Sequence, residues 1–126
     1  MIISVGTDII EVYRIRETIE RTPRFVERVF TGGERAYCES RGAAAAQSYA
    51  ARFAAKEACL KALKTGWSGS ISWHDVEVER SENGVPSLLL SGRAKEIFDE
   101  LGADRVHLSM SHTTDHATAT VILEKS

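Results

Sequence analysis

The stretch Tyr49-Ala50-Ala51-Arg52-Phe53-Ala54-Ala55-Lys56-Glu57-Ala58-Cys59-Leu60-Lys61-Ala62-Leu63-Lys64 decides the fold. It closes an alanine-rich run from Ala43 to Lys64 that holds no internal glycine or proline, with Gly66 just past its end. That is the pattern of a long helix. Tyr49, Phe53, Leu60 and Leu63 form an apolar stripe at helical spacing, interrupted by Lys56. The neighbouring stripe runs Ala50, Ala54, Glu57, Lys61, Lys64: small residues that admit a backbone or ligand, then charge. A surface Glu57–Lys61 pair by itself is worth only about 0.3–0.5 kcal/mol. Lys56 alters the reading, because an ammonium beside core positions needs an anionic partner.

Before this helix, Ile2 to Asp8 reads as a short β-branched strand and about Glu11 to Arg21 as a helix through Val12, Ile15 and Ile19. Thr22 and Pro23 then predict a further helical turn, with Thr22 as its cap, Pro23 as its first residue, and Phe25, Val26, Val29 and Phe30 buried. Thr31-Gly32-Gly33-Glu34 has the form of a capping box, so a helix to about Ser40 follows, ended by Gly42. After the long helix, Ile71 to Arg80 predicts a half-exposed strand, Asn83-Gly84 a turn and Pro86 to Leu90 its partner. Ser91 caps a helix through Ala94, Ile97, Phe98 and Leu101, closed by Gly102. Alternation predicts two last strands, through Val106, Leu108 and Met110 and through Ala117, Ala119, Val121 and Leu123. Helices segregated from antiparallel strands make the class α+β, an antiparallel sheet packed against a long central helix.

At 126 residues the chain is read as one domain, 1–126. A composition of 43% apolar and 27% charged residues is that of a soluble globular protein. No apolar run is long enough to span a bilayer, and the opening Met1-Ile2-Ile3-Ser4-Val5 reads as a strand rather than a secretory signal. Cys38 and Cys59 lack metal-ligand spacing and read as reduced thiols of a cytoplasmic protein. A net charge of −2 argues against a general nucleic-acid binder. Locally, however, Arg14, Arg16, Arg21, Arg24 and Arg28 outnumber Glu17, Glu20 and Glu27.

Val5-Gly6-Thr7-Asp8-Ile9-Ile10-Glu11 ends an apolar strand in a carboxylate. Asp8 suits the cap of the next helix. It also suits chemistry: two distant acids, Asp8 and Glu57, with Lys61 are what a Mg²⁺-assisted phosphoryl or nucleotidyl reaction needs.

Gly6-Thr7-Asp8 and Phe53-Ala54-Ala55-Lys56-Glu57-Ala58-Cys59-Leu60-Lys61-Ala62 resemble the G-x-D and (F/W)-x-x-K-E-A-x-x-K-A signatures of the short 4'-phosphopantetheinyl transferases, the holo-acyl-carrier-protein synthases. The resemblance runs from Met1 to about Glu124 and implies that family's fold. It implies transfer of 4'-phosphopantetheine from coenzyme A to a serine of an acidic apo acyl carrier protein, releasing adenosine 3',5'-bisphosphate. Asp8 and Glu57 would hold Mg²⁺, with Lys61 as the cation at the reacting phosphate. The base is either Glu57 or a metal-ordered water, and Lys56 serves either the coenzyme's phosphates or helix packing. Ser111-His112 matches the family's Ser-His and implies a coenzyme-binding role. Neighbours on a strand point to opposite faces, which argues against a serine–histidine hydrolase, and no G-x-S-x-G elbow is present.

Gly84-Val85-Pro86 aligns with a coenzyme-binding loop that often reads Gly-Lys-Pro or Gly-Arg-Pro, so Val85 removes a positive charge that Arg52 is expected to replace. The resemblance also assigns carrier docking to the first helix, with Arg14, Arg21 and Arg24 as contacts. It implies a homotrimer with the coenzyme site between subunits. Two other classes stay open at this point: an inactive carrier-binding module, and a Mg²⁺-dependent coenzyme A pyrophosphatase.

Overall fold

The computed structural model describes residues 1–66 and 70–126. Its spine is helix α4, Ala45–Leu63, buried along nearly its whole surface. Ala50, Ala54, Ala55, Ala58 and Ala62 are fully enclosed. Such small side chains let neighbouring backbones approach, and the first strand does so.

That strand, β1 (Ile2–Glu11), belongs to an antiparallel sheet of order β1-β5-β4, with β4 at Arg105–His112 and β5 at His116–Glu124. Ser4, Gly6 and Asp8 lie on its α4-facing side. Ser4 Oγ donates to the Ala62 carbonyl at 2.6 Å. At Gly6 a β-carbon would stand 1.9 Å from the Ala58 carbonyl oxygen and 2.7 Å from the Ala62 nitrogen. No other residue type fits this crossing, which is the physical content of the glycine in Gly6-Thr7-Asp8. On β5, Ala117, Ala119, Val121 and Leu123 point to α4 and are buried. The opposite sheet face, with Val5 and Ile9, is open.

A hairpin of β2 (Val76–Arg80) and β3 (Pro86–Leu90) forms a second sheet, and helix α5 (Gly92–Glu100) follows it. Val76, Val78, Leu88, Ile97 and Phe98 close the core at this end of α4. At its other end pack α1 (Val12–Arg21), α2 (Phe25–Val29) and α3 (Gly32–Glu39), burying Val12, Ile15, Val29, Phe30 and Tyr49 together. The α+β class and the antiparallel sheet on a long helix are as expected. The capping box is formed as well: Glu34 N donates to Thr31 Oγ1 at 3.2 Å and Thr31 N to Glu34 Oε1 at 2.8 Å.

Several boundaries differ. β1 continues to Glu11 because β5 offers a partner that far, Glu11 opposite His116. α2 begins at Phe25 rather than Pro23: Phe25 N closes a turn on the Thr22 carbonyl at 2.9 Å, and the cap position falls on Arg24, not Thr22. The strand expected from Ile71 begins only at Val76. Ser72 N donates to Asp75 at 3.1 Å and His74 N to Ser72 Oγ at 3.3 Å, which curls Trp73–Asp75 into a 3₁₀ turn. α4 ends on Lys64, a left-handed residue at φ 66, before Gly66 is reached.

Candidate active site

The seating of β1 on α4 sets the reacting centre. Two residues beyond the Gly6 crossing, Asp8 comes to 3.0 Å from Lys61 Nζ, which also donates to the Thr7 carbonyl at 2.9 Å. Glu57 precedes Lys61 by one helical turn on the same stripe. Asp8, Glu57 and Lys61, 49 or more residues apart in two of their three pairings, thus share one edge of the β1–α4 contact. The Asp8 side chain is 17% exposed and Lys61 55%. Among the described residues no group of three or more acids, histidines or cysteines is placed to hold a metal ion. The donors here are two hard carboxylates. Such a pair fits Mg²⁺, which keeps several waters and takes substrate phosphate oxygens to complete its octahedron.

Lys56 faces elsewhere. Its ammonium lies 3.0 Å from Glu34 Oε1, both side chains are wholly buried, and it donates further to the Trp73 and Val76 carbonyls. Burial pulls its pKa below the lysine range, with the Glu34 carboxylate opposing. All three N–H groups are used, so a phosphate contact from Lys56 gives way to packing. Its anionic partner was hidden in the capping box: Glu34 also accepts from Val78 N at 2.7 Å, tying α3, α4 and β2 at one point.

The other expected coenzyme residues gather in a cavity of about 350 Å³ lined by Arg52, Pro86, Ser111 and His112. Gly84 stands just outside, at φ 82 in the hairpin turn, where its carbonyl accepts from Arg80 Nη1. Arg41, Arg80 and Tyr37 also line the cavity, and among the described residues no carboxylate does. Three guanidiniums and a histidine therefore surround a space without a protein counter-ion, a setting for phosphate. Arg41 and Arg80 thus bring positive charge to this cavity in addition to Arg52. Sequence reasoning missed both; the one available signal was the four-residue step from Tyr37 to Arg41. Asp8, Glu57 and Lys61 do not line this cavity. Asp8 pairs with Ala119, and Ala119 with Met110 at the cavity wall, so two strand spacings of about 4.8 Å separate them.

Arg14 and Arg21 project from α1 and are strongly exposed, held loosely by Glu11 at 3.2 Å and Glu17 at 3.9 Å. Arg24 is exposed in the turn that follows.

The profile of the 4'-phosphopantetheinyl transferase superfamily matches residues 4–121. The chain belongs to this family. The holo-[acyl-carrier-protein] synthase of Koribacter versatilis is 48% identical over 125 residues, covering 98% of this chain and 99% of that one. The Methylobacterium radiotolerans synthase is also 48% identical, over 98% of this chain and 94% of its own length. The Neisseria meningitidis synthase structure superposes with a TM-score of 0.89 at 33% identity, over 99% of this chain and 100% of that one. The Bacillus anthracis synthase, solved in complex with CoA (3',5'-ADP), gives 0.82 at 38% identity over 100% and 99%. The resemblance read from the two motifs is thus borne out over nearly the whole transferase chain.

Proposed function

We propose that this transferase moves 4'-phosphopantetheine from coenzyme A to a serine hydroxyl of an apo acyl carrier protein, with Mg²⁺, releasing adenosine 3',5'-bisphosphate. The observation that carries the reading is the seating of Asp8 against the Glu57–Lys61 turn. The relatives' activity and the coenzyme bound to the Bacillus anthracis synthase agree with it.

The serine oxygen forms a bond to the phosphorus joined to pantetheine, and the bond from that phosphorus to the bridging oxygen breaks. The electron pair stays on the leaving adenosine bisphosphate. Asp8 and Glu57 would hold Mg²⁺, which when bound neutralises pyrophosphate oxygens and the charge that develops on the leaving oxygen. Lys61, steadied by Asp8 and the Thr7 carbonyl, offers a cation to the reacting phosphate. The serine proton passes to Glu57 or to an ordered water. Arg52, Ser111 and His112 bind the coenzyme beside Pro86, while Gly84 holds the hairpin through Arg80. Arg14, Arg21 and Arg24 meet the acidic carrier.

The separation of the cavity from Asp8, Glu57 and Lys61 supports sites shared between subunits of a homotrimer. The open sheet face offers apolar surface for it, with Val5 55% and Ile9 65% exposed. No helix among the described residues is long and apolar enough to cross a membrane.

The test is the intact mass of an apo carrier protein after incubation with this protein, coenzyme A and Mg²⁺, alongside an EDTA sample. The expected result is a gain of one phosphopantetheine that EDTA abolishes. Carrier binding without any gain would leave an inactive binding module, and coenzyme cleavage without a carrier would make the protein a pyrophosphatase.

A further inference from the structure

Tyr37 stands in the midst of the cationic cavity. Its ring centroid has the Arg52 guanidinium at 4.2 Å, that of Arg80 at 4.8 Å and that of Arg41 at 5.8 Å. The three cations come from α4, from β2 and from the turn after α3, so no single element would hold them together. Arg52 is 3% exposed; Nη1 donates to the Ser48 carbonyl at 3.3 Å, and Nε finds no acceptor among the described residues. Burial, reinforced by the like charge of Arg80, pulls its pKa below the ordinary range. Tyr37, Arg52 and Arg80 also wall a smaller recess of about 210 Å³, and there Glu77 and Glu79 are present. The larger side, free of carboxylates, is the one with Ser111 and His112.

Guanidiniums this close repel one another, and the negative face of an aromatic ring offsets part of that cost. A dianion would offset the rest through charge-assisted hydrogen bonds. Its identity follows from the division of the site, and here the argument rests on the transferase reading. The pyrophosphate must lie with Asp8, Glu57 and Lys61, none of which lines this cavity. The cavity's charge therefore answers the coenzyme's other phosphate, the monoester on the ribose.

We propose that Tyr37 is a positioning residue that holds Arg52 and Arg80 at a phosphate-monoester subsite, and so sets the preference for coenzyme A over its form lacking the 3'-phosphate. Arg80 binds the monoester directly, and Tyr37 acts through the two arginines.

The experiment compares coenzyme A with 3'-dephospho-coenzyme A in two assays: transfer to an apo carrier protein, and calorimetric binding with no carrier present. The protein and its Tyr37→Leu, Tyr37→Phe and Arg80→Gln variants are used. The unmodified protein should favour coenzyme A at least about tenfold in KM and in binding, the worth of a charged hydrogen bond. Tyr37→Leu and Arg80→Gln should bring that ratio to within about threefold of unity, in KM and in carrier-free binding alike. Tyr37→Phe keeps the ring and should keep the preference, which separates positioning from folding. A Tyr37→Leu protein weakened equally toward both compounds would overturn the proposal, as would a phenylalanine variant that loses the preference. Preference in binding with no transfer to any carrier would leave the subsite standing and bring down the transferase reading instead.

Discussion

Lys56 and Glu34 meet at 3.0 Å with neither side chain touching solvent. The pair joins the middle of α4 to the capping box of α3 and, through Val78 N, to the hairpin that walls the cavity. Two buried charges of opposite sign, each further hydrogen-bonded, are tolerable; one alone is not.

Lys56→Met should therefore cost about 3–5 kcal/mol, because it strands Glu34 in the core. Restoring neutrality with Glu34→Gln in the same chain should recover part of that loss. Urea unfolding of the two variants at equal protein concentration measures this, and a single variant as stable as the parent would refute the account.

Gly6→Ala should be more damaging than its single methyl suggests. The new β-carbon meets backbone, not a flexible side chain, so β1 must lift from α4 and carry Asp8 with it. We expect a loss of about 3 kcal/mol or more, together with most of the transfer activity. A thermal melt read alongside the carrier mass assay checks both parts.

Asp8→Asn and Glu57→Gln should each abolish transfer with the circular dichroism spectrum unchanged. Each keeps the side-chain shape while removing a charge that the metal needs. Near-normal turnover in either variant would dismiss the metal assignment.

Arg14→Glu should weaken carrier association and spare coenzyme binding. Arg14 lies on an exposed helical face, so its effect should act on the association rate and fade as salt rises. Stopped-flow association at two ionic strengths reads this directly; equal loss of coenzyme affinity would refute a docking role.

Alkaline pH should destabilise the protein through its buried thiols. Burial raises Cys38 and Cys59 from 9.0 to about 12. The folded chain then keeps protons that the unfolded chain releases. The stability these thiols contribute is whole below pH 9 and is lost as pH climbs toward 12, at about 1.4 kcal/mol per pH unit for each thiol. Cys59→Ala should show a shallower decline than the parent between pH 9 and 10.5, and parallel declines would argue against it.

Local signals made much of this molecule legible. The uninterrupted alanine run specifies α4, Thr31 with Glu34 specifies the start of α3, and alternation specifies β4 and β5, because each depends on contacts within a turn or along one strand. The same locality misled at Ile71 to Asp75, where alternating residues suggest a strand but Ser72 and Asp75 satisfy the backbone in a turn. It also misled at Pro23, where the chain spends one more turn before helix begins.

The sequence by itself determined the family, the helix that carries Glu57 and Lys61, and the residue types needed for phosphoryl chemistry. Tertiary structure alone decided which charges face one another. Lys56 and Lys61 are the same residue type on one helix, yet one is sealed against Glu34 and the other stands beside Asp8. The cavity draws Tyr37, Arg41, Arg52, Arg80 and His112 from separate elements. Periodicity reports which side of an element is apolar, but the partner across a long-range contact is chosen by packing, and electrostatics follows the partner.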